Sequence, residues 1–475
     1  MKDTFDLSYI FDEDSPLLKE YDDILPLILL INYRVHSIRG TEGLYFGDDG
    51  YQKDWSIVHW LRYFSSIPFY YLKKNKGDKS NKDNPQRVLL SDTFLLTDRY
   101  DDSAIKVLLD NKNIVGILGS NVCNVATYLD GMKAEGIFKK KYAALQVPLG
   151  FTTAGFKLKQ SAHDLYEFFD RINKENKHAD EYYDEARRLL DRIRRYSIAR
   201  INKIRRILIK YGIKQFITVN EYNLKDLLII MAMKTVPGAI SKYYSHHVFF
   251  TNFNAVEAES GFRFCDKSYY WNVADVEYVD KYIKFAKDYS RVSSDCCGTP
   301  ELILTEDILK QDKIERTNSI VFFTPTYFGD AGYGVPPVVG EYRRKIYETI
   351  KCFADSNNVQ IILRHKPDEI KKIPNLDKEF MDEFGFKAAD ESGRQLQEKL
   401  MTSTVVIGCA TSAEYLALAM GCETFWLKIN DLQLSDNMSG IKKLELDELR
   451  CLILKKEKRK IRQELFFNVD KLLEV

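Results

Sequence analysis

The chain has 475 residues, enough for two or three domains. Hydrophobic residues make up 45% and charged residues 29%, the balance of a soluble globular protein rather than a disordered or membrane-embedded one. A formal net charge of +1 removes any global electrostatic case for nucleic acid.

The eight cysteines are scattered, with no CxxC pair, and Cys296-Cys297 are adjacent, which suits neither a zinc knuckle nor a simple disulfide. A reducing cytoplasm is the expected compartment. The opening stretch, MKDTFDLSYIFDEDSP, is acidic and lacks a signal-peptide pattern, and ILPLILLI (24–31) is too short to span a bilayer.

Along the first half, short apolar runs fall at RVLLSD (87–92), NIVGILGS (113–120), YAALQVP (142–148), FITVNEY (216–222) and AISKYYSHHVFF (239–250). KGDKSNKDNPQ (76–86) is polar and turn-rich, an exposed loop. Residues 187–210 hold ten Lys/Arg against one acid, with Leu190, Ile193, Ser197, Ile201, Ile204 and Leu208 on one helical face. Such a helix either packs in the first domain with a solvated basic face or lies on an anionic membrane surface.

Ser, Gly and Pro cluster at 288–303, where a domain break is expected. Beyond it come SIVFFTPT (319–326), VQIILRHK (359–366), GFKAAD (385–390), TVVIGCA (404–410) and ETFWL (423–427). Runs apolar on both faces, alternating with helices, predict parallel sheets covered by helices. Two such sets predict an α/β protein of two doubly wound domains. The expected division is 1–300 (with a helical insertion at 155–212), 301–440, and a helical tail at 441–475.

Two strand ends in the second half carry the chemistry. The strand VQIIL ends in Arg364-His365-Lys366-Pro367, two cations and an imidazole that suit phosphate oxygens. The strand TVVIG runs through Thr411-Ser412 into a helix carrying Glu414. There, hydroxyls and free N–H groups bind anions or simply cap the helix, while Glu414 either reads ribose hydroxyls or stabilises the helix start. Thr324-Pro325-Thr326-Tyr327 and GDAGYGVPP open the domain, making Thr326, Tyr327 and Arg343 further donor-site candidates. No HExxH, EF-hand loop, zinc spacing, Walker A or GxGxxG is present, so no metal or cofactor is expected and nucleotide hydrolysis and hydride transfer are disfavoured.

These motifs resemble those of GT-B glycosyltransferases that build bacterial surface polysaccharides. The resemblance is to groups with a His-Pro and a Ser-Ser/Thr motif: sialyltransferases, Kdo transferases and glycerol-phosphate polymerases. Here the first reads His365-Lys366-Pro367, with a lysine inserted, and the second Thr411-Ser412. The resemblance covers about residues 214–430 and extends to FITVNEY, where Glu221 ends a strand, and to the His246-His247 pair. It implies two Rossmann-like domains facing a central cleft. It implies a nucleotide-sugar donor, CMP-linked first, with its phosphate held by His365, Lys366, Thr411 and Ser412 and its ribose read by Glu414. The acceptor is an oligosaccharide or lipid-linked glycan, and His246 is the expected base, with Glu221 orienting it or replacing it and His247 beside it. Asp49 in Gly47-Asp48-Asp49-Gly50 resembles a sialyltransferase base motif and is the runner-up, though Asp-Gly is also a common turn. The tail is expected to pack back on the first domain. A GT-B-like epimerase and a non-catalytic binding partner are the alternatives. The expected location is the cytoplasm, with peripheral contact at the inner membrane through 187–210.

Overall fold

The structure is a computed structural model. It describes residues 87–91, 114–117, 198–210, 212–219, 221, 224–245, 264–282, 293–299, 302–303, 317–329, 336–388, 394–403, 405–409, 411, 413–429, 441–454 and 461–474. The expectations placed on residues 1–86, on 142–197 and on Asp49, His246, His247 and Ser412 lie outside the described residues.

Two parallel sheets form the frame. The first contains β1 (Arg87–Leu90), β2 (Ile114–Ile117), β3 (Ile213–Thr218), β4 (Ile240–Tyr244), β5 (Lys267–Tyr270) and β6 (Ser293–Cys296), in the order β2-β1-β3-β4-β5-β6. The second contains β7 (Ser319–Phe323), β8 (Gln360–Arg364), β9 (Lys387–Ala388), β10 (Val405–Gly408), β11 (Glu423–Leu427) and β12 (Lys442–Leu444), in the order β12-β11-β10-β7-β8-β9. Every pairing is parallel. The second sheet steps outward from β7 to β9, then returns to β10 and steps outward the other way. That reversal puts a switch point between β7 and β10, and in open α/β sheets ligands bind outside the strand carboxyl ends at such a point. The first sheet reverses between β1 and β3.

Local sequence explains the elements. All of β7 and β10 is buried, as strands covered on both faces require. Helix α1 (Ile198–Lys210) packs on α2 (Leu224–Lys234), with Ile204 and Leu208 buried and Arg205 and Arg206 exposed. Ile204 and Leu208 thus face inside the protein, while Ile209 is exposed along with Arg205 and Arg206. Helix α3 (Val273–Tyr282) starts on a reciprocal cap: Asn272 Nδ2 donates to Asp275 Oδ2 at 2.8 Å and Asp275 N–H donates to Asn272 Oδ1 at 2.8 Å. Helix α4 (Gly340–Asn357) buries Ile346, Tyr347, Ile350, Phe353 and Ala354 along one face. It stops where Asn358 enters the left-handed region (φ 51°), which Asn tolerates, and turns the chain into β8. Among the described residues no helix is long and apolar enough to cross a membrane.

The chain crosses between the sheets twice, and the crossings pair. Thr299 N–H donates to Leu465 O at 2.9 Å, Phe467 N–H to Leu302 O at 2.8 Å and Asn468 N–H to Cys297 O at 2.8 Å. Beyond them, α10 (Val469–Leu473) lies on the first sheet, after α5 (Pro367–Lys372), α6 (Lys378–Phe384), α7 (Arg394–Thr402), α8 (Ala413–Ala419) and α9 (Leu446–Cys451) of the second half. Phe467, Leu472 and Leu473 complete a core with Val88, Leu90, Ile217, Val219, Tyr244 and Tyr269. Gln215 Nε2 donates to Leu473 O at 3.1 Å, and the fully buried Lys242 ammonium donates to Leu472 O at 2.6 Å and to Glu474 O. Burial is the main influence on Lys242, followed by the nearby Lys267, and its pKa falls to about 8.

Gly298 sits inside the paired crossing at φ +80°, and a Cβ there would lie 2.0 Å from Phe466 O. Gly298→Ala combines left-handed strain with a backbone clash and is expected to cost about 2 kcal/mol or more of stability. The measurement is the urea midpoint. An unchanged midpoint would mean that the crossing relaxes freely.

Candidate functional site

The switch point of the second sheet gathers three strand ends. After β7, Thr324 N–H donates to Arg364 O at 3.0 Å, tying the loop to β8. The loop folds back so that Val338 N–H donates to Thr326 O at 3.0 Å, closing its neck. After β8 come His365, 4% exposed, and Lys366, which is exposed. After β10 come the buried Cys409 and then Thr411. Thr326, Tyr327, Arg364, His365 and Lys366 therefore share the β7–β8 side of the site, with Thr411 on the β10 side.

Beneath them lies a buried polar cluster centred on Asp377. Arg343 Nε donates to Asp377 Oδ1 at 2.7 Å and Nη2 to Oδ2 at 2.5 Å. Tyr347 Oη donates to Oδ2 at 2.5 Å, and His365 Nε2 lies 3.0 Å from the same oxygen. Burial raises the Asp377 carboxyl, but hydrogen bonds from Arg343, then His365 and Tyr347, hold it well below the usual carboxylate range. An ionised carboxylate only accepts, so the His365 nitrogen facing it carries hydrogen. Asp377 itself is left-handed (φ 62°), a strain retained where the surroundings fix it.

This cluster changes the role expected of Arg343. Its guanidinium is 1% exposed and also donates to Pro325 O at 2.7 Å and Val338 O at 3.1 Å. It clamps both legs of the β7 loop, so its donors are engaged inside the fold rather than offered to a phosphate. Burial pushes the Cys409 thiol up, Glu414 adds to that and Arg343 opposes it.

Glu414 is fully buried and caps the start of its helix. Its Oε2 accepts from Thr411 N–H at 3.0 Å, and Thr411 Oγ1 accepts from Ala413 N–H at 3.4 Å. A Cβ on Gly408 would come within 1.5 Å of Glu414 Oε1, so the carboxylate lies against the bare strand backbone. Of the two roles open to Glu414 in the sequence, helix start or ribose reader, this geometry is that of the helix start.

Glu221 belongs to the first sheet and is fully buried. Its Oε1 accepts from Phe264 N–H at 3.1 Å and Cys265 N–H at 2.7 Å. It staples the approach to β5 and is not exposed as a general base would be. His246 and His247 follow Ser245, whose carbonyl accepts from Trp271 Nε1 at 2.9 Å. The Trp271 ring packs on Tyr415 at 6.2 Å. Trp271 follows the end of β5 and Tyr415 lies in the first turn of α8, so this contact brings the carboxyl ends of the two sheets together.

Three acids escaped sequence reasoning. Asp377 and Glu369 act across distances that no local pattern signals. Asp226 accepts from Ser91 Oγ at 2.7 Å and Thr218 Oγ1 at 2.6 Å, bridging the strands that flank the first sheet's switch point. Its position in the first turn of a helix after a strand was the one available sign. Among the described residues, no three His, Cys, Asp or Glu side chains converge in a metal-holding group.

Two doubly wound parallel sheets meeting at their carboxyl ends, joined by a double crossing, define a GT-B fold. No family model matches the chain. No curated protein matches it either. Among solved structures, the UDP-GlcNAc 2-epimerase of Methanocaldococcus jannaschii aligns over 82% of this chain and 98% of its own, at 10% identity and TM-score 0.40. The Neisseria meningitidis UDP-GlcNAc 2-epimerase bound to UDP-GlcNAc aligns over 72% and 83%, at 9% identity and TM-score 0.38. The wall teichoic acid polymerase TagF aligns over 78% and 79%, at 11% identity and TM-score 0.33. At such values the functional case rests on the chain's own geometry.

Asp377→Asn leaves Arg343 buried without its counter-charge and is expected to cost about 3–5 kcal/mol. The folded carboxyl lies below its unfolded value of about 3.9, so its stabilisation is full above that value and is lost as pH falls through the folded value. Urea melts at pH 7 and at pH 3 are expected to differ less for Asp377→Asn than for the wild type. Equal acid sensitivity of the two would remove Asp377 as the cause.

Proposed function

We propose that the chain is a metal-independent glycosyltransferase that moves a sugar from a nucleotide-activated donor to a hydroxyl of a surface-glycan acceptor. The observation that carries this reading is the switch point between β7 and β10, where the Thr324–Gly329 loop, His365 and the Thr411 turn lie at adjacent strand ends. The donor diphosphate or phosphate would lie there, met by the loop's N–H groups, His365 and Lys366, with Thr411 and Ser412 on the far side. Asp377 engages Nε2 of His365, leaving Nδ1 as the ring atom for a ligand. Cationic and N–H donors fixed before the donor arrives stabilise the negative charge that develops on the leaving phosphate. CMP-sugars are the first donor to test, because of the two-motif resemblance.

The acceptor would approach from the first sheet, with His246 removing the proton of the attacking hydroxyl. A base must reach that hydroxyl, directly or through one water. Support comes from Ser245, its neighbour in the chain, which is held against Trp271 where the two sheets meet. The protein would work in the cytoplasm. Any contact of α1 with a membrane surface would use its exposed Arg205, Arg206 and Ile209, because Ile204 and Leu208 are buried.

The first test is a thermal-shift screen against CMP, CDP, UDP, GDP and ADP. A nucleotide at a hundred times its Kd is expected to stabilise the wild type by about 2.7 kcal/mol and to lose that effect in His365→Ala. Stabilisation by none of the five would sink the donor-site reading. With the donor known, His246→Ala is expected to lower transfer about 100- to 10,000-fold while nucleotide binding persists. Release of free, epimerised sugar without an acceptor would replace transfer with epimerisation.

A further inference from the structure

At the carboxyl end of β7, three donors from successive residues converge on one atom. Thr326 Oγ1 donates to Glu369 Oε1 at 2.6 Å, Tyr327 N–H at 2.7 Å and Phe328 N–H at 3.4 Å. Successive N–H groups aimed at a common point form a concavity for an anion. The oxygen inside this one belongs to the chain itself. Glu369 comes from α5, the short helix that follows the His365-Lys366 turn.

The arrangement leaves Glu369 only half matched. The residue is 3% exposed, and its second oxygen, Oε2, is buried without a hydrogen-bond partner. Thr324 Oγ1, two residues before the nest, is buried and unpartnered as well. A buried carboxylate oxygen without a donor is unfavourable and rare in native structures. It marks a group that a better-matched anion can displace. A phosphoryl group would accept the same three donors and bring further oxygens for its surroundings. Those surroundings are cationic: Lys366, Lys371 and Lys372 are exposed on and beside α5, and Lys372 Nζ lies 5.0 Å from the Phe328 ring centre.

We propose that Thr326–Phe328 is a phosphate nest filled by Glu369 as an internal anion, so that donor binding requires the Glu369 side chain to leave. This rests on the nucleotide-sugar reading for the identity of the ligand, though not for the existence of the nest. The glutamate is then a built-in competitor that sets donor affinity. It keeps the donors organised until phosphate takes its place.

The test is calorimetric titration of the full chain with inorganic pyrophosphate, and separately with CMP and UDP. The proteins are the wild type, Glu369→Gln, Glu369→Ala and, as a control, Glu379→Gln on the exposed side of α6. Glu369→Gln retains a neutral acceptor for the three donors, which keeps the loop folded if Glu369→Ala does not fold. Both Glu369 variants are expected to bind pyrophosphate at least about tenfold tighter than the wild type, with Glu379→Gln unchanged. Equal or weaker pyrophosphate binding by folded Glu369→Gln overturns the proposal and makes Glu369 a plain staple. Nucleotide bound equally by wild type and Glu369→Gln also overturns it, while leaving the transferase reading intact. Tighter pyrophosphate binding with no nucleotide bound by any protein upholds the nest and removes the nucleotide reading.

Discussion

One buried carboxylate organises the second half of the molecule. Asp377 accepts from Arg343, Tyr347 and His365, which come from helix α4 and the end of strand β8. A guanidinium without a counter-charge is too costly to bury, so Arg343 stays in the core because Asp377 is there. With its other donors Arg343 holds Pro325 O and Val338 O, the two legs of the loop after β7. The position of the loop's two legs, the imidazole's orientation and the seating of α4 are therefore one constraint. The left-handed backbone at Asp377 persists because four hydrogen bonds from three partners fix where its oxygens must be.

The candidate site has a floor and a roof that are built differently. The floor is the β7–β8–β10 edge with its buried network. The roof begins at the first sheet, where Glu221 fixes Phe264 and Cys265, and Trp271 holds Ser245. The two sides touch through Trp271 and Tyr415, an aromatic contact with geometry but little polar commitment. Such a contact fixes which edges face each other.

The frame was legible because parallel strands write their burial into consecutive apolar residues. SIVFF and VVIG read as doubly covered strands, and both are buried throughout. The apolar stripe through Ile204 and Leu208 read equally as a packed helix or a membrane face, and packing against α2 engages it. At Thr411 and Glu414 the spacing signalled a capping box and a ribose site at once, because both need a hydroxyl and an acid at the same interval. Arg343 shows another limit of the sequence. A cation near a glycine-rich loop looks like a phosphate ligand, and its true partner lies 34 residues away in PNLDKEF, where nothing local marks Asp377 as special. Glu369 was invisible in the same way, since its three donors lie more than 40 residues upstream.

The return of the chain's final segment to the first sheet has a consequence for synthesis. Tyr244 and Tyr269 of that sheet find their apolar neighbours Phe467, Leu472 and Leu473 only after the whole second sheet has been translated. Lys242 gains the carbonyls of Leu472 and Glu474 at the same late moment. Domains usually mature in the order in which the ribosome delivers them. Here the first sheet is sealed by a segment that follows the second, so a nascent chain stalled within the second sheet still lacks Phe467, Leu472 and Leu473 for its apolar face and the two carbonyls for Lys242.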